Sequence, residues 1–174
     1  MSTNSVVGYI RSDGSIVSSY VHYDGYETGV GMTLLEHYNS DERALAVSVG
    51  GYYSSLSEDL KESLESSVHT EEVEMFDSMT EFEEYLMENS HLEFGYLWTG
   101  GKWMVSSWSR IGVGAAWNGF SWLVTSFVRE GRKTVDRLRS YGNEYEDSAD
   151  DLEEVVSRWH SYGMGEIATE AMAS

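Results

Sequence analysis

The sequence predicts an α+β fold, a small antiparallel sheet from two hairpins packed with several amphipathic helices. Three observations carry that expectation. Apolar and aromatic residues alternate on either side of the turn-forming stretches Ser12-Asp13-Gly14-Ser15 and Thr99-Gly100-Gly101, which is how hairpins are written in sequence. Elsewhere apolar residues recur three and four apart, the spacing of one helix face. The composition, 41% hydrophobic and 13% aromatic over 174 residues, suffices for a buried core despite the charge.

The first hairpin is expected over Val6 to Ile10 and Ile16 to Tyr23. After the turn Asp24-Gly25-Tyr26, the spacing of Val30, Leu34, Leu35 and Tyr38 predicts a helix over Gly29 to Tyr38. Ser40 has the character of an N-cap, followed by Asp41 and Glu42, for a helix that ends at Gly50-Gly51. Val73 to Phe76 reads as an edge strand. Thr80-Glu81-Phe82-Glu83 fits a capping box, with Phe82, Tyr85 and Leu86 as the apolar stripe behind it. The second hairpin spans Glu93 to Trp108, with Phe94, Tyr96 and Trp98 on one face. Asn118 is a candidate cap for a stripe of Phe120, Leu123, Val124, Phe127 and Val128, residues that also tolerate a strand; Val135 and Leu138 continue a helix. Leu152, Val155, Val156 and Trp159 predict a last helix from Ser148 to Tyr162, stopped by Gly163 and followed by a frayed tail. The length fits a single domain over 1–174, an α+β portion at 1–108 and a mainly helical extension at 109–174.

The formal charge is −19, from 11 Lys+Arg against 30 Asp+Glu, and it is unevenly distributed. Glu58, Asp59, Glu62, Glu65, Glu71, Glu72, Glu74, Asp77, Glu81, Glu83, Glu84, Glu88 and Glu93 crowd one stretch that holds a single base, Lys61. Glu144, Glu146, Asp147, Asp150, Asp151, Glu153 and Glu154 crowd a second that holds none. Between them Lys102, Arg110, Arg129, Arg132, Lys133, Arg137 and Arg139 face only Glu130 and Asp136. Such a field opposes direct contact with nucleic acid or anionic lipid. The absence of cysteine excludes a disulfide scaffold, a thiolate metal site and a cysteine nucleophile. Met1 to Ser5 lacks the pattern of a signal peptide and no apolar run reaches the length of a membrane span; the expectation is an intracellular protein.

Catalytic readings are weak. His22, Asp24 and His37 could bracket a site, but no pair has the spacing of a metal motif, and a turn-shaping role for His22 and Asp24 outweighs it. Neither a nucleophile elbow nor a phosphate loop is present: Gly112-Val113-Gly114 lacks the Lys and hydroxyl that a phosphate loop requires. Asp147, Asp150 and Asp151 lack the alternation and glycine of a calcium loop. No cofactor or metal is expected. Trp98, Trp103, Trp108, Trp122 and Trp159 are expected in the core rather than as base-stacking platforms.

The run Tyr20-Val21-His22-Tyr23-Asp24-Gly25-Tyr26, then Gly29-Val30-Gly31 and Leu34-Leu35-Glu36-His37-Tyr38, resembles a group of small uncharacterised bacteriophage proteins with an H-aromatic-D-G-Y turn and an L-x-x-H-Y helix. Gly95 to Trp98 and Gly101 to Val105 look like that group's closing hairpin, so the likeness covers roughly residues 5–108. It implies a phage origin and a bacterial host cytoplasm, and as a signature of activity it is empty.

The acid runs remain. As helices, Glu144 to Glu154 would carry one carboxylate per ~2.4 Å and Glu71 to Glu88 one per ~3.4 Å, against one phosphate per ~3.4 Å of DNA strand. The expected function is therefore non-enzymatic: a phage-encoded inhibitor whose acidic surface mimics DNA and occupies the basic groove of a host nucleic-acid-binding protein, in defence or transcription. The partner-binding candidates are the carboxylates named above from Glu58 to Glu88 and from Glu144 to Glu154. The alternative is a structural or regulatory module making homo-oligomer or host-protein contacts.

Overall fold

The computed structural model describes residues 2–65, 73–111, 114–117 and 119–173. In chain order these form β1 (Asn4–Ile10), β2 (Ile16–Val21), a π-helical turn (Glu27–Gly31), α1 (Met32–His37), α2 (Asp41–Ser48), β3 (Tyr52–Tyr53), α3 (Leu60–Glu65), β4 (Glu74–Phe76), α4 (Met79–Glu88), β5 (Leu92–Thr99), β6 (Lys102–Ile111), β7 (Gly114–Trp117), β8 (Ser121–Trp122), α5 (Leu123–Ser140), a 3-10 turn (Asn143–Tyr145) and α6 (Glu146–Ala173). The fold is α+β, in two compact units, Met1–Trp122 and Leu123–Ser174.

Both expected hairpins form. β1 and β2 pair antiparallel from Ser5 with Val21 to Ile10 with Ile16, and Asp13 fixes the turn by accepting from the Ser15 N–H and hydroxyl at 2.9 and 2.6 Å. Those two bonds hold the Asp13 carboxyl below the usual carboxylate range. β5 and β6 pair antiparallel around Gly100 and Gly101, whose φ angles of 59° and 79° make a tight two-residue turn.

The sheet is mixed, not purely antiparallel as expected. β1 and β5 run parallel, with Val6 beside Gly95 and Tyr9 beside Trp98. β2 returns antiparallel to β1, and β5, entering after α1 to α4 on the other edge of β1, runs opposite to β2 and therefore parallel to β1. β3 and β4 share the outer edge of β2, and β7 and β8 share the outer edge of β6. The helical part therefore begins at Leu123 rather than at 109. Asn118 lies outside the described residues, and Phe120 packs beside the sheet core instead of joining a helix.

Alternation along the strands gives this sheet two buried faces. One carries Val6, Ile16, Phe76 and Leu97, and α4 covers it with Phe82 and Leu86. The other carries Val7, Val17, Val21, Tyr96, Trp98 and Trp103, all essentially inaccessible, and the α1–α2 segment covers it. Three hydrogen bonds tie that second layer down: Trp103 Nε1 donates to the Tyr38 carbonyl at 3.1 Å, Trp98 Nε1 to Asp41 Oδ1 at 2.6 Å, and Ser19 Oγ to the Ser48 carbonyl at 2.8 Å. Trp98, Trp103 and Trp159 are buried, whereas Trp108 and Trp122 are only half-buried.

Local signals hold for α2, capped by Ser40 Oγ accepting from the Arg43 N–H. They shift for the others. The helix expected from Gly29 begins with the π-helical turn and becomes α1 only at Met32. α4 is capped by Ser78, not Thr80: Ser78 Oγ accepts from the Glu81 N–H at 3.3 Å and Glu81 Oε2 accepts from the Asp77 N–H at 2.9 Å. α6 does not stop at Gly163 but runs to Ala173. A helical glycine costs only about 1 kcal/mol relative to Ala, and Ile167, Ala168, Glu170, Ala171 and Met172 carry the helix onward.

In the second unit, α5 and α6 form an antiparallel helical hairpin. The two backbones come close at Gly131: a Cβ there would sit 2.5 Å from Val156 Cγ2.

Candidate acidic interaction surface

The acid-rich stretch from Glu58 to Glu88 does not make one surface. Glu58, Asp59, Glu62 and Glu65 lie on and before α3, on the α1–α2 side of the sheet: Tyr38 Oη donates to the Ser57 carbonyl, and Arg43 donates to the Glu58 carbonyl. Asp59 serves α3 itself, its Oδ1 accepting from the Glu62 N–H at 3.1 Å. Glu58 approaches His37 Nε2 at 3.8 Å and Glu65 approaches Lys61 at 3.8 Å. Glu81, Glu83, Glu84 and Glu88 stand exposed on α4, which covers the opposite face. Glu74 is at the sheet edge and Asp77 precedes α4, so Glu71 to Glu88 is not the continuous helix that its charge density assumed. Glu71 and Glu72 lie outside the described residues.

The second stretch is helical as expected, Glu144 in the 3-10 turn and the others on α6. Part of it is consumed internally. Arg139, near the end of α5, reaches Glu146 at 3.4 Å, Asp150 at 2.9 Å and Glu153. The hydrogen bonds it donates to Glu153 and Asp150 push its guanidinium above the ordinary arginine range, so it stays charged. On α5 the basic residues are also partly spent: Arg129 and Lys133 bracket Glu130 at 3.2 and 3.1 Å. Burial pushes the Glu130 carboxyl up, but the Lys133 and Arg129 hydrogen bonds outweigh it and the net direction is down.

What remains on α6 is ordered. Asp147, Asp151 and Glu154 stand at i, i+4 and i+7, one face of the helix, with Glu144 in the turn before it. All four are exposed and none has an ion-pair partner among the described residues. The three helical carboxylates are spaced about 6 and 4.5 Å along the axis, wider than the ~3.4 Å between phosphates of a strand. Sequence density alone overstated this surface, because it could not show which carboxylates Arg139 would take.

The residues weighed for catalysis have structural partners. His22 Nδ1 lies 3.1 Å from Tyr20 Oη, and Asp24 Oδ1 accepts from Tyr26 Oη at 3.0 Å. Asp24 itself adopts a left-handed φ of 58° and its carbonyl accepts from the Val30 N–H at 2.7 Å, so the H-aromatic-D-G-Y turn has a conformational reason. His37 turns toward Glu58. Among the described residues no three His, Asp or Glu side chains form a group able to hold a metal ion, and no helix is long and apolar enough to cross a membrane. No family model matches the chain, and no curated protein or solved structure matches it either.

Proposed function

We propose that the protein is a non-enzymatic binding module that lays the acidic face of α6 against a basic surface of another protein. The observation that carries this reading is the row Asp147, Asp151 and Glu154, left exposed after Arg139 has taken its three carboxylates. Anionic rows of this kind attract cationic surfaces over a distance of roughly 10 Å at moderate salt and speed the encounter. The favoured partner is a nucleic-acid-binding protein, because its groove is already built to pair Lys and Arg with regularly spaced anions. With the likeness to phage proteins, the biological form of the proposal is a phage-encoded DNA mimic inhibiting a host defence or transcription protein in the host cytoplasm.

The test is capture of partners from bacterial lysate by the wild-type protein and by the Asp147→Asn, Asp151→Asn, Glu154→Gln triple variant. The reading expects nucleic-acid-binding proteins that are released by salt and by competing duplex DNA, and that the triple variant fails to hold. Partners retained equally by the variant, or insensitive to both salt and DNA, contradict it.

A specific observation favours the alternative of homo-oligomer contacts. On the last turns of α6, Met164, Ile167 and Met172 are 56%, 52% and 88% exposed, apolar surface of the kind that contact with a second copy would cover. Light scattering separates the readings: an apolar oligomer persists in high salt and dissociates on Ile167→Asp, while a charge-reading monomer shows one mass throughout.

A further inference from the structure

Under α4, the sheet contains a cavity of about 250 Å³ that plays no part in the acidic row of α6. Three of its residues are neighbours on one face: Ser18 pairs with Glu74 across β2 and β4, and Tyr20 follows two residues along. Tyr85 reaches over from α4, and His91, ahead of β5, sets its ring 6.1 Å from that of Tyr20. Ser18 is 1% exposed, yet its Oγ has no hydrogen-bond partner among the described residues. A buried hydroxyl left unpaired is a cost that the fold carries unless a ligand relieves it.

The lining selects the charge of such a ligand. The rings of Tyr20 and Tyr85 line the cavity, and the negative quadrupole of a tyrosine ring attracts cations. Glu74 supplies a carboxylate, no Lys or Arg is among the lining residues, and α4 adds Glu81, Glu84 and Glu88 nearby in sequence without a base. A compact ammonium would use the rings and the carboxylate but has no plane to stack. A guanidinium stacks flat on a tyrosine, and its fixed fork of donors can serve a carboxylate and a hydroxyl together. The volume admits one such side chain and falls short of the roughly 300 Å³ at which pockets for larger organic ligands begin.

We propose that this cavity binds a guanidinium group, the side chain of an arginine offered by the protein partner. The inference rests on the reading that the partner is basic, and it adds what the partner presents.

The experiment titrates the full chain with N-acetyl-arginine methylamide, followed by amide chemical shifts, alongside the uncharged citrulline counterpart and the lysine counterpart. The arginine probe should give saturable shifts at Ser18, Tyr20 and Tyr85, and the citrulline and lysine probes should bind at least about fivefold more weakly. Tyr85→Leu, chosen to preserve packing on Phe76, should weaken the arginine probe about five- to thirtyfold, and Glu74→Gln up to about fivefold. Ser18→Ala should weaken it about two- to tenfold while leaving the Tm of the free protein unchanged or higher. Equal binding of citrulline or lysine, wild-type affinity in all three variants, or a Tm lowered by Ser18→Ala would each overturn the proposal. Because no variant touches α6, loss of arginine binding with partner capture intact condemns the cavity alone. Arginine binding with capture indifferent to α6 neutralisation condemns the surface alone.

Discussion

Arg139 sets how much of the α6 carboxylate row is left for a partner. Replacing it by Gln frees Glu146, Asp150 and Glu153 at once, so Arg139→Gln is expected to lower the Tm while tightening capture of a basic partner at low salt; unchanged or weaker capture contradicts the assignment. Gly131 decides whether the helices can close: Gly131→Ala drives a Cβ into Val156 and should cost about 1–3 kcal/mol, with part of that loss recovered in the Gly131→Ala, Val156→Ala double variant by denaturant unfolding. Tyr53 and Tyr96 are buried phenols whose ionisation is pushed up, by burial first in both cases. Their stabilisation is complete below the ordinary phenol value of 10.0 and is lost as pH rises beyond it, since only the unfolded chain ionises readily there. Phenolate absorbance should therefore rise together with unfolding above that pH. None of these residue roles is legible in the sequence, because each depends on what another element brings near.

Elements were legible where their determinants are local. The hairpins, the Ser40 cap of α2 and the edge strand at Phe76 each follow from a few adjacent residues. Two signals were ambiguous rather than absent. Ser78-Met79-Thr80-Glu81 and Thr80-Glu81-Phe82-Glu83 both satisfy the same box, and the fold uses the first, with Glu81 also accepting from the Asp77 N–H. Ser78→Ala should cost about 1 kcal/mol in denaturant unfolding, and Thr80→Ala close to nothing. Gly163 carried a stop signal that helix formers downstream outweigh. The parallel β1–β5 pairing was not legible at all, since residues 4–9 and 92–98 meet only after four helices have been laid down. For the same reason the first acidic stretch read as one surface, although α3 and α4, which carry most of its described carboxylates, lie on opposite sides of the sheet.

At the scale of the whole molecule a charge of −19 acts on stability and on recognition with opposite signs. Salt screens repulsion among like charges, so the Tm of the free protein should rise between low and moderate ionic strength. The same screening should weaken a partner held by the α6 row. Affinity for a captured nucleic-acid-binding partner, measured against salt with and without competing duplex DNA, is the most direct test of the account. The prediction is a log affinity that falls linearly with log salt, a shallower fall for the Asp147, Asp151, Glu154 triple variant, and displacement by DNA. A salt-independent affinity that duplex DNA does not disturb would contradict it.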